Sequence, residues 1–312
     1  MRAFLFPGQG SQAVGMGAAL ADANRLARDV FDQVDEALGQ NLARLMRDGP
    51  EDELKLTQNA QPAIMANGLA VFNVLTKGCG VELTRAVQFV AGHSLGEYSA
   101  LCAAGSLDLP TTARLLKLRG QAMQAAVPVG QGAMAALLGA DIKLARQIAA
   151  AAAEGEVCDV ANDNDPSQVV ISGHLGAITR AIAIAKDMGA KRALQLPVSA
   201  PFHCSLMKPA ADAMAEALDK TDLGRPAVPL YANVTAAPES DPGVIRRQLV
   251  EQVTGMVRWR ETIANMAAAG VEEFIELGGK VVGPMVKRIA PDARVSCLIS
   301  IDDIEALAKE IG

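Results

Sequence analysis

Residues 86–97 read Ala86-Val87-Gln88-Phe89-Val90-Ala91-Gly92-His93-Ser94-Leu95-Gly96-Glu97. The first six form an apolar run long enough for one buried strand, and the small, apolar stretch from Tyr98 to Ala104 predicts a helix. Strand, G-x-S-x-G and helix, in that order, make the setting of a nucleophile elbow. A turn so sharp leaves no room for side chains two residues before and two after the serine, and Gly92 and Gly96 meet that demand. The Ser94 hydroxyl then stands at the carboxyl edge of a sheet. The Leu95 N–H opens a helix whose positive end faces the chemistry. A G-x-S-x-G can arise by chance in a Gly-rich chain; the flanking strand and helix are what give it meaning.

The 312 residues allow one large domain or two ordinary ones. Half are hydrophobic but only 3% are aromatic, so Ala, Leu, Val, Ile and Met must build the core. A charged fraction of 21% is that of a globular chain, not a disordered one. No apolar run approaches the ~20 residues that cross a bilayer. Met1 to Phe6 meets Pro7-Gly8 too soon for a signal peptide. Five cysteines (Cys79, Cys102, Cys158, Cys204, Cys297) form no C-x-x-C pair, which points to reduced thiols and a cytoplasmic location. The net charge of −6 argues against wholesale nucleic-acid binding. It leaves room for a local basic patch. The expectation is a monomer that needs neither membrane nor nucleic acid.

Outward from the elbow, strands alternate with helices. Arg2 to Phe6 reads as a buried strand and Pro7-Gly8-Gln9-Gly10-Ser11-Gln12 as a loop. One long helix is predicted over 18–38 and another over 60–76. Asp108-Leu109-Pro110 starts a further helix, with Asp108 or a neighbour as its cap. From Val127 the pattern changes. Strand 133–138, helix 142–153, strands 157–161 and 168–172, helix 177–188 and strand 192–196 follow the β-α-β-β-α-β order of ferredoxin-like units. Later come helices 206–218, 244–253, 258–269, 280–289 and 304–311, with strands 228–232, 272–277 and 294–298. The expected fold is α/β: a mainly parallel, α/β-hydrolase-like sheet covered by helices, with an inserted ferredoxin-like subdomain. Its expected boundaries are 1–127 and 198–312 for the large domain and 128–197 for the insertion.

A serine hydroxyl needs a base within hydrogen-bond reach. Only three histidines are present. His93 adjoins the nucleophile, so its side chain should point away and serve packing or orientation. His174, in Ser172-Gly173-His174, reads as a turn residue of the insertion. His203 lies in the Pro-broken segment Val198-Ser199-Ala200-Pro201-Phe202-His203-Cys204 that returns to the large domain, where loops carry site groups. Elimination leaves His203 as the base.

On the helix after Pro110, Thr112, Leu115, Leu116, Arg119, Ala122, Met123 and Ala126 share one face. A guanidinium in an apolar stripe cannot shed its charge. It snorkels out, pairs with a carboxylate of the protein, or holds a carboxylate of the substrate in its fork. The loop Gly8-Gln9-Gly10-Ser11-Gln12-Ala13 matches G-x-G-x-x-A, which raises a dinucleotide site. Pro7 intervenes after the strand and no second strand ending in an acid follows at the right distance, so that reading fails. No Gly-Lys-Ser/Thr follows for a P-loop, and no His/Cys/Asp cluster has metal-ligand spacing. A glycine loop beside an elbow can instead turn a backbone N–H toward an oxyanion.

Phe6-Pro7-Gly8-Gln9-Gly10-Ser11-Gln12, Gly92 to Glu97, Arg119, the segment Pro197 to His203 and Gln252 occur in an order that resembles the malonyl-CoA:acyl carrier protein transacylase family. The resemblance spans nearly the whole chain and includes the inserted module. It implies a ping-pong transfer in which Ser94 is acylated from malonyl-CoA and the phosphopantetheine thiol of acyl carrier protein then takes the malonyl group. His203 is implied as base and then acid, Gln252 as the group orienting it, Gln9 and Leu95 as oxyanion donors, and Arg119 as the malonyl carboxylate's partner. Asn162 and Asn164 match a region near the coenzyme, and Phe202 matches a position where bulk crowds an α-methyl group. Neither cofactor nor metal is implied. One departure is visible: Leu277-Gly278-Gly279-Lys280 is a residue shorter than the family's usual Gly-Pro-Gly-type turn. Arg114, Lys117, Lys191, Arg192, Lys208, Lys287 and Arg288 are candidates for coenzyme A phosphates and an acidic carrier, each against the plain alternative of a solvated charge. The elbow alone also fits a serine thioesterase or esterase, and a non-catalytic carrier-docking domain is the third reading.

Overall fold

The computed structural model describes residues 1–198 and 200–311. Ser199, quoted above with the Val198–Cys204 segment, and Gly312 lie outside the described residues.

Ten strands are present among them: β1 (Arg2–Phe6), β2 (Phe89–Gly92), β3 (Gly132–Leu138), β4 (Cys158–Asp165), β5 (Gln168–His174), β6 (Arg192–Gln195), β7 (Leu230–Tyr231), β8 (Pro238–Glu239), β9 (Glu273–Leu277) and β10 (Arg294–Leu298). Six form one sheet in the order β10-β9-β1-β2-β7-β8. All its neighbours are parallel except β7 and β8. A parallel sheet must be covered on both faces, and β1 shows how the sequence arranges it. Phe4 and Phe6 point into one apolar cluster with Leu69 and Leu101, while Ala3 and Leu5 point into the other with Trp259 and Ile263. These four of the five β1 side chains are fully buried.

The other four strands make an antiparallel sheet in the order β4-β5-β3-β6, the ferredoxin-like arrangement expected from the element order. Ala133, Ala135 and Leu137 of β3 face the helices Ile142–Ala153 and Leu175–Ala185. Met134 and Ala136, the alternate residues, join the core of the large sheet's layer instead. Period-two alternation therefore glues the small sheet to the main body. Its outer strand β4 is riveted there by polar contacts. The Asp163 N–H donates to the Val257 carbonyl at 2.9 Å, and the Val257 N–H donates to Ala161 at 2.9 Å. Arg260 grips the buried Asp163 carboxylate and Arg288 holds Asp165 at 2.8 Å.

Some elements differ from expectation. The predicted helix over 18–38 is two helices, Ala18–Ala23 and Arg25–Leu38, because Asn24 turns extended and caps the second, accepting the Leu26 N–H at 2.8 Å. The helix predicted from Ala60 begins at Thr57 and closes in a wider π turn over Val74–Gly78. The short helices Leu42–Asp48, Glu51–Lys55 and Leu83–Ala86 and the two-residue strand β8 are too brief to display a period.

Candidate active site

Ser94 follows β2 with φ +54°, a left-handed backbone that a non-glycine residue holds only under constraint. A Cβ on Gly92 would lie 1.9 Å from Gly96 backbone atoms, and one on Gly96 would lie 2.4 Å from the Phe6 carbonyl oxygen. The steric demand expected of the elbow is thus real at both glycines. Asn233, just past β7, clamps the turn from below. Its Oδ1 accepts the Ser94 N–H at 2.8 Å and its Nδ2 donates to the Gly92 carbonyl at 2.8 Å.

His203 reaches the nucleophile from the segment after β6. Its Nε2 lies 2.7 Å from Ser94 Oγ, and its Nδ1 lies 2.9 Å from the Gln252 backbone carbonyl. A carbonyl only accepts, so Nδ1 carries the hydrogen and Nε2 is left to receive the serine proton. His203 is buried and itself sits at φ +57°. Burial first, then the nearby Arg119 charge, depress its pKa to about 3. The neutral, base-competent ring is therefore the resting form.

Arg119 neither snorkels nor pairs with a protein carboxylate. It is 1% exposed on the helix Leu109–Ala125. Nη1 donates to Gln61 Oε1 at 2.8 Å, and Nη2 donates to Gln252 Oε1 at 2.9 Å and to Ser94 Oγ at 3.2 Å. Nε has no partner among the described residues, and the guanidinium carbon lies 5.9 Å from the Tyr98 ring centroid. Neutral amide oxygens orient the fork without neutralising it. A buried cation so held is a site for an anion beside the nucleophile.

The Gln252 amide joins these parts. Besides receiving Arg119, it donates through Nε2 to the Ser94 carbonyl at 3.0 Å and closely to Glu97. The sequence reading left open whether side chain or main chain faces His203; the main chain does, and the side chain serves Arg119. Glu97 is almost wholly buried and also accepts the Asn233 N–H at 3.2 Å. Burial pushes its carboxyl up to about 8, against those N–H groups and the Arg119 charge, which favour the ionised form.

A cavity of about 320 Å³ opens over Ser94, a size suited to an acyl group and part of its carrier. Gln9, Leu95, Arg119, Asn162, Phe202 and His203 all line it. No protein acceptor takes the backbone N–H of Gln9 or Leu95 among the described residues, so both are free to meet an oxyanion. The Gln9 side chain is pinned by the Thr57 hydroxyl at 3.1 Å. Gly8 lets the loop lie against the elbow, since a Cβ there would meet the His93 carbonyl at 2.7 Å. His93 points away as expected, with Nε2 2.8 Å from Asn164 Oδ1 and its ring edge-on to Trp259. Asn164 is therefore spent on His93, while Asn162 faces the cavity. His174 accepts the Val157 N–H at 2.9 Å at the end of β5 and does not line the cavity.

The short turn after Leu277 is well supported. Gly278, at φ +80°, accepts from Asn67 at 2.7 Å, and the buried Glu276 carboxylate receives the N–H groups of Val281 and Gly283. Of the basic candidates, Lys117 is bound to Gln40 and Asn59, Lys208 to Asp212, Lys287 to the Ala293 carbonyl and Arg288 to Asp165. Arg114, Lys191 and Arg192 stay exposed without an ion pair among the described residues. Glu97, Asn233, Gln61 and the mouth residue Lys55 were missed by sequence reasoning. Glu97 sat inside the motif itself; Asn233 had only its place at a strand end as a signal. Among the described residues, no cluster of three His, Cys, Asp or Glu could hold a metal ion.

The acyl transferase domain family matches residues 3–280. A malonyl CoA-acyl carrier protein transacylase of Escherichia coli (strain K12) is 45% identical over 297 residues, 95% of this chain and 95% of that protein. One of Bacillus subtilis (strain 168) is 44% identical, over 92% and 90%. Among solved structures, an acyl-carrier-protein-S-malonyltransferase from Bartonella henselae superposes with a TM-score of 0.97 at 51% identity, covering 100% of this chain and 99% of its own. A type II PKS acyl-carrier protein in complex with its malonyl-transacylase gives 0.95 at 39% identity, with 99% of each chain covered.

Proposed function

This chain belongs to the acyl transferase domain family, and from that premise we propose that it moves the malonyl group of malonyl-CoA to acyl carrier protein by way of Ser94, supplying extender units for fatty acid synthesis. The observation that carries this reading is the Arg119 fork, 3.2 Å from Ser94 Oγ and held only by neutral partners. A hydrolase of uncharged acyl groups has no use for a buried cation there. A transferase of carboxylated acyl groups does.

The geometry supports the following mechanism. Ser94 Oγ attacks the thioester carbonyl as its proton passes to His203 Nε2, while the Gln252 carbonyl steadies the developing imidazolium through Nδ1–H. The Leu95 and Gln9 N–H groups receive the oxyanion. His203 returns the proton to the departing coenzyme A sulfur, leaving malonyl-Ser94. The carrier's phosphopantetheine thiol enters next, gives its proton to His203, and attacks the ester; collapse returns the proton to Ser94. The chain supplies nucleophile, base, oxyanion donors and carboxylate fork, so the scheme calls on no metal or cofactor. Phe202 and Asn162 are assigned to the substrate, Phe202 by crowding an α-substituent and Asn162 by facing the coenzyme.

Residues 128–197 are read as the inserted subdomain and 1–127 with 198–312 as the catalytic domain. The protein is taken to act as a cytoplasmic monomer, without nucleic-acid or membrane partners. Incubation with labelled malonyl-CoA tests the function: label on Ser94 that passes to carrier protein supports it, and prompt release of free malonate favours a thioesterase.

A further inference from the structure

The side chains of three polar residues below the elbow take no part in the mechanism above, yet they meet at the Gln252 amide. Gln252 Oε1 faces Arg119, and Nε2 faces the Ser94 carbonyl and the Glu97 carboxyl. The second Glu97 oxygen accepts the backbone N–H of Asn233, whose side chain holds the Ser94 N–H. Both oxygens of Glu97 thus meet N–H donors. Glu97, Gln252 and Asn233 are all buried, so no water competes for these bonds.

We propose that Glu97 is a positioning residue: it locks the Gln252 amide with its oxygen toward Arg119, and so sets the preference for carboxylated acyl groups. An amide flips easily unless its neighbours distinguish oxygen from nitrogen. The Ser94 carbonyl, Asn233 Oδ1 at 3.4 Å and Glu97 are the acceptors on the Nε2 side of Gln252, and Glu97 makes the closest approach. Arg119 Nη2 then keeps a carbonyl partner at 2.9 Å, which aims the fork at the cavity. Against the ionised Glu97 carboxylate, glutamine at position 97 has the same shape and one fewer acceptor. Turned one way, its NH₂ opposes the Asn233 N–H; turned the other, it opposes the Gln252 NH₂. Either arrangement sets donor against donor: the first leaves the Asn233 N–H without its acceptor, and the second removes the closest acceptor that holds the Gln252 amide in its orientation.

The inference rests on the malonyl-transfer reading, and its test separates the two. Parent, Glu97→Gln, Arg119→Ala and the double variant are assayed for transfer from malonyl-CoA and acetyl-CoA, with KM and kcat resolved. Glu97→Gln is expected to raise the malonyl-CoA KM tenfold or more while acetyl transfer changes less than about threefold, and to add nothing to the preference already lost in Arg119→Ala. Equal losses on both substrates, or losses of preference that multiply in the double variant, overturn it. Should Glu97→Gln not fold, Glu97→Asp takes its place: the retained carboxylate is expected to keep the malonyl preference within about threefold of the parent, and its loss overturns the proposal. A parent that takes no malonyl group contradicts the transfer reading. A parent that prefers malonyl, with a Glu97→Gln variant that keeps the preference, contradicts the positioning role alone.

Discussion

His203 Nε2 lies 2.7 Å from Ser94 Oγ, although the two residues are 109 positions apart and belong to segments separated by the whole inserted module. Their meeting depends on the parallel sheet presenting Ser94 at its carboxyl edge and on the segment after β6 returning across that edge. Removing the base is therefore expected to cost acylation about 10²- to 10⁴-fold. His203→Ala measured in single-turnover malonyl loading should show that loss, while His174→Ala stays within a few-fold of the parent. Comparable losses in both would contradict the assignment.

Much of this was legible in residues 86–97, because sterics act locally there: a strand, two obligatory glycines and a helix are sequence-adjacent. The ferredoxin-like order was legible for the same reason. What lay hidden was everything fixed by long-range contact. Nothing near Asn233 announces that its side chain will clamp Ser94, and nothing near Gln61 announces an arginine partner 58 positions later. For Arg119 the sequence posed the question, a charge in an apolar stripe, and only its neutral partners answered it.

Arg119→Ala removes the charge-assisted fork, an interaction of about 1.5–3 kcal/mol. The expected outcome is a loss of roughly one to two orders of magnitude in kcat/KM for malonyl-CoA, with acetyl-CoA little affected or improved. Competition assays with both thioesters check it. A variant that still selects malonyl as the parent does would contradict the carboxylate fork.

The pH dependence has a defined sign. His203 must be neutral to act, and its pKa is depressed from 6.5 to about 3. The neutral form therefore persists as pH falls through 6.5, and malonyl loading should show no acid limb there down to about pH 5. The same shift weakens the fold in acid. Below pH 6.5 the unfolded chain binds a proton that the folded chain refuses until about 3, so this penalty is absent above 6.5 and grows between the two values. A loading profile with a midpoint near 6.5 would contradict the depressed pKa.

Gly92→Ala places a methyl where Gly96 backbone atoms lie 1.9 Å away, with no flexible neighbour to yield. Loss of the cooperative thermal transition, or failure to accumulate folded protein, is expected. Asn233→Ala is milder, leaving the Ser94 N–H and Gly92 carbonyl unpaired at a cost of about 1–3 kcal/mol. Thermal melts compare the two, and an unperturbed Gly92→Ala would contradict the tight elbow.

The central claim, that Ser94 holds the malonyl group between two thiols, is tested most directly by mass spectrometry of the loaded protein. One sample is mixed with malonyl-CoA and digested; a second is mixed with malonyl-CoA and supplied with holo acyl carrier protein before digestion. One malonyl adduct on the peptide bearing Ser94, absent in Ser94→Ala and transferred to the carrier in the second sample, is the expected result. Malonyl-carrier formed by Ser94→Ala at the parent's rate, or an adduct on another residue, would contradict it.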